Sequence, residues 1–342
     1  MENWNQQTIE DFRHDLLTWY DREGRAHLPW RQNQDPYRIL VSELMLQQTR
    51  VDTVITYFNR FMDALPTVQD LAEAPEEQVL KLWEGLGYYS RAKNLQKAAK
   101  VVAFDLKGNW PESYDDLLSL PGVGPYTAAA VASIAFGEVV PAIDGNFFRV
   151  FSRLLKIDDD IAKPKTRRVF YDIVEPIVDP ERPGDFNQAI MDLGTSYMKT
   201  KDPDTLHSPV KKYNAAYRDG VEEQYPVKTK KKKPVLQRYQ ALVVENEAGD
   251  LLYEQRPETG LLSGFWTFPL RAVESVEELE GEQLTIKPVV HVFSHRKWEI
   301  WPVRVKAPET LEENQAFLST DKQNELALPK VQHKLLQAIK EQ

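Results

Sequence analysis

Apolar residues recur at helical spacing over most of the first two-thirds of the chain. Ile39, Leu40, Leu44, Val51, Val54, Ile55, Phe58, Phe61, Met62 and Leu65 form one series, interrupted near Gln47-Gln48-Thr49. Val79, Leu82 and Trp83 form a stripe before Gly85-Leu86-Gly87, and Leu95, Ala98, Ala99 and Val102 form another after it. Leu117, Leu118 and Leu120 run into Pro121-Gly122-Val123-Gly124-Pro125, and an alanine-rich run follows. Stripes of this period, separated by short Gly/Pro punctuation, predict an all-α array. After Pro234 the period changes. Residues 239–244 and 251–255 predict two strands joined as a hairpin through 247–250; 289–293 and 298–305 predict two more, and 332–339 a closing helix. The expected organisation is an all-α domain over residues 1–226, a Lys-rich linker over 227–234 and an α+β domain over 235–342.

Length and composition agree with that division. At roughly 150 residues per domain, 342 residues hold two, and 42% hydrophobic with 28% charged residues excludes wholesale disorder. The longest apolar stretch, 128–137, stops at Glu138, short of the roughly 18 residues a membrane helix needs. The sequence Met1-Glu2-Asn3-Trp4-Asn5-Gln6 lacks the basic-then-apolar pattern of a secretion signal. A cytoplasmic protein with no membrane partner is expected, monomeric by default. There are no cysteines, which removes disulfides, a cysteine nucleophile and thiolate-ligated zinc or iron–sulfur sites. The net charge of −9 weighs weakly against a nucleic-acid partner. Residues 227–238, however, carry six basic residues and no acid, so the overall sign decides little.

The most specific string is Leu120-Pro-Gly-Val-Gly-Pro-Tyr-Thr-Ala128. It has the form of a helix-hairpin-helix, in which Gly122, Val123 and Gly124 bring backbone N–H groups close to a DNA phosphate at the start of the second helix. The backbone carbonyls of the same hairpin are a candidate seat for a monovalent cation, which the sequence leaves open. Twenty residues past Gly124, Asp144 precedes an amphipathic run of Phe147, Val150, Phe151, Leu154 and Leu155, so it is an N-cap candidate. The helix N-terminus would also lower its pKa and keep it ionised, as a cationic sugar transition state requires. Glu43 is a charge inside the apolar run Ile39-Leu-Val-Ser-Glu-Leu-Met-Leu46. On position alone it is either a helix-surface residue or, facing a pocket, an acid whose pKa is raised by desolvation. In the second case Glu43 and Asp144 pair one protonated with one ionised carboxyl, the logic of glycoside cleavage.

The hairpin followed by Pro141-Ala-Ile-Asp144 resembles the endonuclease III superfamily of DNA glycosylases. Leu28-Pro-Trp-Arg31, Ser42-Glu-Leu-Met-Leu-Gln-Gln-Thr49, Leu86-Gly-Tyr-Tyr-Ser-Arg91 and Phe186-Asn-Gln-Ala189 are similar to MutY-type adenine DNA glycosylases. The resemblance runs from about Phe12 to the end of the chain. It implies base excision repair by a monofunctional glycosylase whose partner is double-stranded DNA containing A:8-oxoguanine or A:G mispairs. Glu43 would protonate adenine N7, Asp144 would stabilise the oxocarbenium ion, and Asn146 and Tyr126 would support them. Bifunctional relatives carry a Schiff-base lysine where this chain has Tyr126, so base removal without strand cleavage is expected. Gln48 and Tyr88 would enter the duplex, with Thr49, Leu86 and Gly87 on the opposite-base side. For Tyr88 the alternative is a core aromatic, with Tyr89 in its place. Trp30, Arg31 and Gln188 would line the adenine pocket.

The C-terminal part resembles the Nudix-like module of the same family, most clearly at residues 260–269, with Phe293, Ser294 and His295 at the loop where the family reads 8-oxoguanine. The fold class implied is an all-α helix-hairpin-helix glycosylase domain followed by a Nudix-like α+β domain. Glu274, Glu277 and Glu278 approach the spacing of a Nudix metal helix, but Val273 stands where Arg is required and Gly281 comes one residue late. They are expected on a solvated helix face, and a nucleotide-pool hydrolase is correspondingly disfavoured. Met198, Thr205, Ser208 and Asn214 have six, two and five residues between them, the spacing at which the family places four cysteines around an iron–sulfur (4Fe–4S) cluster. No cluster or other cofactor is expected. Instead, Tyr197, Met198, Leu206, Pro209, Tyr213 and Tyr217 are expected to hold the loop by packing. Asp202, Asp204 and His207 are expected to be solvated, and Lys199, Lys201, Lys211 and Lys212 to meet phosphates. A competing reading is a lesion-binding protein without catalysis, against which the intact Glu43 and Asp144 speak.

Overall fold

The computed structural model describes residues 1–342 apart from Lys231, Lys232, Glu258 and Gln342, and of Val276 the backbone alone. The chain forms two compact units, Met1–Ala74 with Asn94–Lys230, and Pro75–Lys93 with Lys231–Gln342. The expected Lys-rich linker falls partly outside the described residues. Its start is not free chain. Val227 accepts from the Ile161 N–H at 3.0 Å, and the Thr229 N–H donates to Asp160 at 3.0 Å.

The first unit is helical, as its 3.6-residue periodicity predicts. Helices α1 (Gln6–Glu23), α2 (Pro36–Leu46), α3 (Val51–Ala64) and α4 (Val68–Glu73) are followed in the chain by α5 (Glu76–Leu82) and α6 (Ser90–Lys100), where the units divide. Then come α7 (Tyr114–Leu117), α8 (Pro125–Phe136), α9 (Gly145–Leu155), α10 (Thr166–Val174), α11 (Pro183–Ser196) and α12 (Ala215–Arg218). Local chemistry sets the boundaries. Asp35 caps α2 through the Tyr37 N–H with Pro36 in the first turn, Thr67 and Asp70 form a capping box on α4, and Gly137 ends α8 at φ 73°. One aromatic core, containing Phe12, Phe147, Phe151, Phe170 and Phe186, joins α1, α9, α10 and α11. Helix α11 lies so close to α9 that a Cβ on Gly194 would sit 2.7 Å from the Cβ of Asn146.

The second unit holds two sheets. Strands β1 (Val235–Val243), β2 (Leu251–Gln255), β3 (Trp266–Thr267), β4 (Leu270–Val273), β5 (Glu282–Gln283), β6 (Val289–Val292), β7 (Arg296–Arg304) and β8 (Gln315–Leu318) precede α13 (Thr320–Glu325) and α14 (Lys330–Lys340). One sheet has the order β4-β1-β7-β5 with β6 also on β7; the other has the order β3-β2-β8. Strands β6 and β7 and the closing helix are where the sequence puts them, and the structure pairs the two strands as a hairpin. The first expected hairpin is different. Asn246 closes a turn by accepting from the Ala248 and Asp250 N–H groups, and the hairpin is short: Glu245 bridges Leu251 and the Leu252 N–H donates to the Val244 carbonyl at 2.9 Å. Beyond it β1 pairs in parallel with β7, Tyr239 opposite Ile300, whereas β2 joins the other sheet. The alternating pattern specifies each strand, not which neighbour it takes. The acidic segment also differs from expectation: Glu277 and Glu278 lie on a single 3-10 turn, Val276–Glu278, rather than on a helix, although Glu274, Glu277 and Glu278 are exposed as expected.

Within the second unit, the α5 segment is tied to the C-terminal strands and helices. Glu84 accepts from the Leu328 N–H at 2.9 Å and meets His333 at 3.0 Å, and Lys81 donates to the Leu326 carbonyl at 2.9 Å. Burial pushes the Glu84 carboxyl up, but His333, Lys81 and Leu328 outweigh it and bring it down to about 2. The expected catalytic domain, drawn through residue 226, therefore lends residues 75–93 to the other unit. Among the described residues no helix is long and apolar enough to cross a membrane.

Asn187 shows how the helical unit positions its chemistry. Fully buried on α11, it accepts from the Ala142 N–H at 3.0 Å and donates to Ser133 Oγ and the Val140 carbonyl, both at 2.9 Å. It thereby fixes the segment that leads into Asp144. Asn187→Ala strands these buried groups and is expected to cost about 2–4 kcal/mol, read by denaturant unfolding; a loss under 1 kcal/mol contradicts the stapling role.

Candidate active site

A cleft of about 790 Å³ opens in the first unit, lined by residues of α2, α8, α9 and α11 together with the turns that precede them. Helix α2 carries Glu43 into it. The glutamate is 5% exposed, which decides between the surface and pocket readings in favour of the pocket. Its Oε2 accepts from the Tyr126 hydroxyl at 2.5 Å, and Tyr126 comes from the first turn of α8, just past the glycine hairpin. Burial pushes the Glu43 carboxyl up to about 7; the Tyr126 bond and the Arg31 charge oppose the rise, and Asp144 adds to it. The same burial holds the Tyr126 hydroxyl well above its ordinary value.

Asp144 occupies the cleft from the other side. Its Oδ1 accepts from the Phe147 N–H at 2.7 Å, the expected cap of α9, and its Oδ2 accepts from Asn146 Nδ2 at 2.8 Å. The helix-terminus argument alone predicts a lowered pKa. The structure corrects this: desolvation dominates and raises the carboxyl, while the N–H bonds of Phe147 and Asn146 and the charge of Arg149 favour the ionised form and oppose the rise. Arg149 was not singled out in the sequence. It donates to Asn146 Oδ1 at 2.6 Å, to the Gly194 carbonyl at 2.7 Å and to the Met198 carbonyl at 2.7 Å, so the partner of Asp144 is itself held.

Trp30, Arg31 and Gln188 all line this cleft, on the wall formed by the Pro29–Arg31 turn and α11. Arg31 binds Asp192 through both terminal nitrogens, at 2.7 and 2.9 Å, and Arg25 grips the same carboxylate. Burial pushes Asp192 up, but the two guanidiniums outweigh it and hold the carboxyl below its ordinary value. Gln188 Oε1 accepts from Tyr20 at 3.1 Å, leaving the amide N–H₂ as the donor toward the cleft. Arg25, Asp192 and Tyr20 were missed. Asp192 was findable, because it lies one helical turn beyond Gln188 on the same face.

Gln48, Thr49, Gly122 and Gly124 also border the cleft. Val123 is buried, so the hairpin offers backbone there. Gly122 has φ 75°, and a Cβ on it would fall 2.4 Å from Asn94, so only glycine fits this turn. Gln48 is exposed at φ 59°, a conformation that costs a non-glycine residue free energy. Tyr88, in the second unit, shares that feature at φ 48° and is 47% exposed. Tyr89 is the core aromatic, 4.4 Å from Phe265, which decides the alternative. Leu86 is buried, and Gly87 accepts from Arg91 at 2.9 Å, so backbone dominates what that turn presents. At the tip between β6 and β7, Ser294 and His295 are exposed, and Ser294 bonds the Tyr88 hydroxyl. Phe293 instead packs on Trp298, 4.7 Å away.

The fold family implies a cluster at Met198, Thr205, Ser208 and Asn214, and the side chains do not fit one. Met198 is in the aromatic core, Thr205 and Asn214 both donate to Glu222, and Ser208 accepts from the Val210 N–H. Leu206, expected to pack, is 59% exposed. Lys199, Lys201, Lys211 and Lys212 are exposed; Lys212 pairs with Asp15 at 2.8 Å. Asp204 pairs with His207 at 2.7 Å and both are solvated, as expected.

Residues 41–176 match the model of the HhH-GPD superfamily of base excision DNA repair proteins, and residues 240–338 match that of the NUDIX domain. The chain is 36% identical to the adenine DNA glycosylase of Mus musculus, over 84% of this chain and 69% of that one. It is 30% identical to the adenine DNA glycosylase of Buchnera aphidicola, over 97% of this chain and all of the relative. A thermostable thymine-DNA glycosylase has a similar structure, at a TM-score of 0.54 and 28% identity over 62% of this chain and 97% of the other. Two carboxyls in one helix-hairpin-helix cleft, a NUDIX-type second domain and relatives that match through both place this chain in the adenine DNA glycosylase family, as a base excision repair enzyme with DNA as its substrate.

Proposed function

We propose that the protein excises adenine mispaired with 8-oxoguanine or guanine and leaves the DNA strand uncut. The observation that carries this reading is a buried Glu43, bonded to Tyr126 and poised near neutral pH, in the same cleft as Asp144. The target nucleotide leaves the stack, at a cost of a few kcal/mol that is smaller at a mismatch. Exposed, left-handed Gln48 and Tyr88 are suited to fill the space, one with an amide and the other with a flat ring. Arg31 and Gln188, held by Asp192 and Tyr20, present donors to the extruded base, and Trp30 supplies an apolar face.

Glu43 then transfers its proton to adenine N7. The C1′–N9 bond breaks with its electron pair leaving on the neutral base, and the ionised Asp144 stabilises the cationic sugar. Water completes the reaction at C1′, giving free adenine and an abasic site. Tyr126 offers no amine for a Schiff base, so the abasic product is released with its strand intact. The protein works as a monomer on DNA in the cytoplasm, without an iron–sulfur cluster, and its C-terminal tip of Ser294 and His295 reads the opposite base.

Duplex carrying A opposite 8-oxoguanine is expected to break only after hot alkali; breakage without alkali contradicts the monofunctional reading. Glu43→Gln is expected to slow single-turnover excision by about 10²–10⁴-fold while duplex binding is retained; near-normal excision overturns the assignment. Because Glu43 must be protonated, the rate falls as pH rises through about 7. The Tyr126 bond favours the carboxylate, so Tyr126→Phe moves that alkaline limb to higher pH, and a shift to lower pH contradicts the geometry. Ser294→Ala with His295→Ala is expected to reduce the preference for 8-oxoguanine over guanine, measured as the ratio of excision rates; an unchanged ratio refutes the reader role.

A further inference from the structure

Glu222 stands on a 3-10 turn, Glu222–Gln224, just beyond α12, and its Oε1 accepts two hydrogen bonds. Thr205 Oγ1 donates at 2.5 Å and Asn214 Nδ2 at 2.7 Å. Both donors are 1% exposed, so neither has water as an alternative partner. Asn214 also caps α12 through the Tyr217 N–H at 3.0 Å. One carboxylate therefore ties three points of the chain, 205, 214 and 222, into a closed loop. Arg153, buried on α9, closes the same segment at its ends, donating to the Lys199 carbonyl at 2.9 Å and the Tyr225 carbonyl at 3.3 Å. Burial lowers the pKa of that guanidinium, and the charge of Glu222 opposes the fall. Between the tied points lie exposed Lys211 and Lys212, on the turn Lys211–Tyr213.

We infer that Glu222 is a positioning residue, the organic cross-link that holds loop 199–214 in a DNA-binding shape in a chain whose loop has no thiolates to bind a metal cluster. The inference rests on the reading that this face meets DNA. A carboxylate with two buried donors restrains the loop as a multidentate ion does, by joining residues distant in sequence through one centre. Without it, Thr205 and Asn214 lose their acceptor, the loop opens, and its lysines no longer meet phosphates at a fixed spacing. The cleft, held by Asn187 and by the bonds of Arg149 to Asn146 and the Gly194 carbonyl outside the loop, keeps its geometry.

The test compares Glu222→Ala, Glu222→Gln and Thr205→Val in the full chain. Hydrogen exchange across 199–214 is expected to accelerate at least tenfold in Glu222→Ala, with α8 and α9 unchanged. Its Kd for duplex carrying A opposite 8-oxoguanine rises about tenfold, and the slope of log Kd against log salt falls by about one to two, roughly 0.9 per lost phosphate contact. The single-turnover rate at saturating enzyme stays within threefold. Glu222→Gln, whose amide oxygen accepts the same two bonds, restores protection and affinity to within threefold of the parent. Thr205→Val removes one donor at constant shape and gives an intermediate effect, which carries the test if Glu222→Ala does not fold. Unchanged exchange and salt slope in Glu222→Ala overturn the proposal, as does a Glu222→Gln variant no better than Glu222→Ala. A parent chain that binds no duplex refutes the DNA reading, while the exchange measurement still reports on the clasp.

Discussion

The mechanism proposed for this protein depends on the desolvation of Glu43. A carboxyl in water is a poor proton donor at neutral pH because its charged form is so well solvated; placed in a cleft between helices, the same group keeps its proton until about pH 7. That position imposes demands on the rest of the fold. The second carboxyl, Asp144, is also buried and also raised, so it needs dedicated donors to favour its charge. The Phe147 N–H and Asn146 supply them, and Arg149 holds Asn146 in turn. In the proposed mechanism the two acids of one cleft take different roles, Glu43 raised by burial and Asp144 drawn toward its charged form by hydrogen bonds.

The same economy shapes the opposite wall. Arg31 could not remain buried near the cleft without a counter-charge, and Asp192 provides one that is shared with Arg25. Because both terminal nitrogens of Arg31 are held by one carboxylate, its orientation is fixed before any base arrives. Gln188 is treated alike: Tyr20 occupies its oxygen and so decides which face of the amide looks into the cleft. Rigid, pre-satisfied groups of this kind suit the proposed base pocket because they need no reorganisation.

Much of this was legible in the chain itself. The helical array followed from the 3.6-residue period, Asp144 as an N-cap from the amphipathic run after it, and the hairpin from two glycines before a helix. Glu43 was ambiguous on position alone, because periodicity cannot say which neighbour covers a helix face; tertiary packing settled it. Arg149 and Glu222 were missed for a related reason. Each acts through partners distant in sequence, and a lone charge in a helix or loop gives no local sign of them. The first expected hairpin is confined to residues 244–252 because strand alternation specifies faces and not neighbours, so most of β1 pairs with β7 rather than β2. The net pKa of Asp144 was misjudged by weighing the helix N-terminus without the burial that accompanies it. At the thiolate-free loop the sequence shows that no cysteine is present to ligate a cluster, yet only the folded chain reveals Thr205 and Asn214 converging on a single carboxylate.

The claim on which these relationships rest is that Glu43 holds a proton at neutral pH in the folded protein. The most direct measurement is the carboxyl titration of Glu43 itself, followed by 13C NMR on glutamate-labelled protein and assigned by the signal lost in a Glu43→Gln sample. The account predicts a titration midpoint near 7. A midpoint in the ordinary glutamate range, about 4–5, would mean that the cleft is wet and that Glu43 is not the acid.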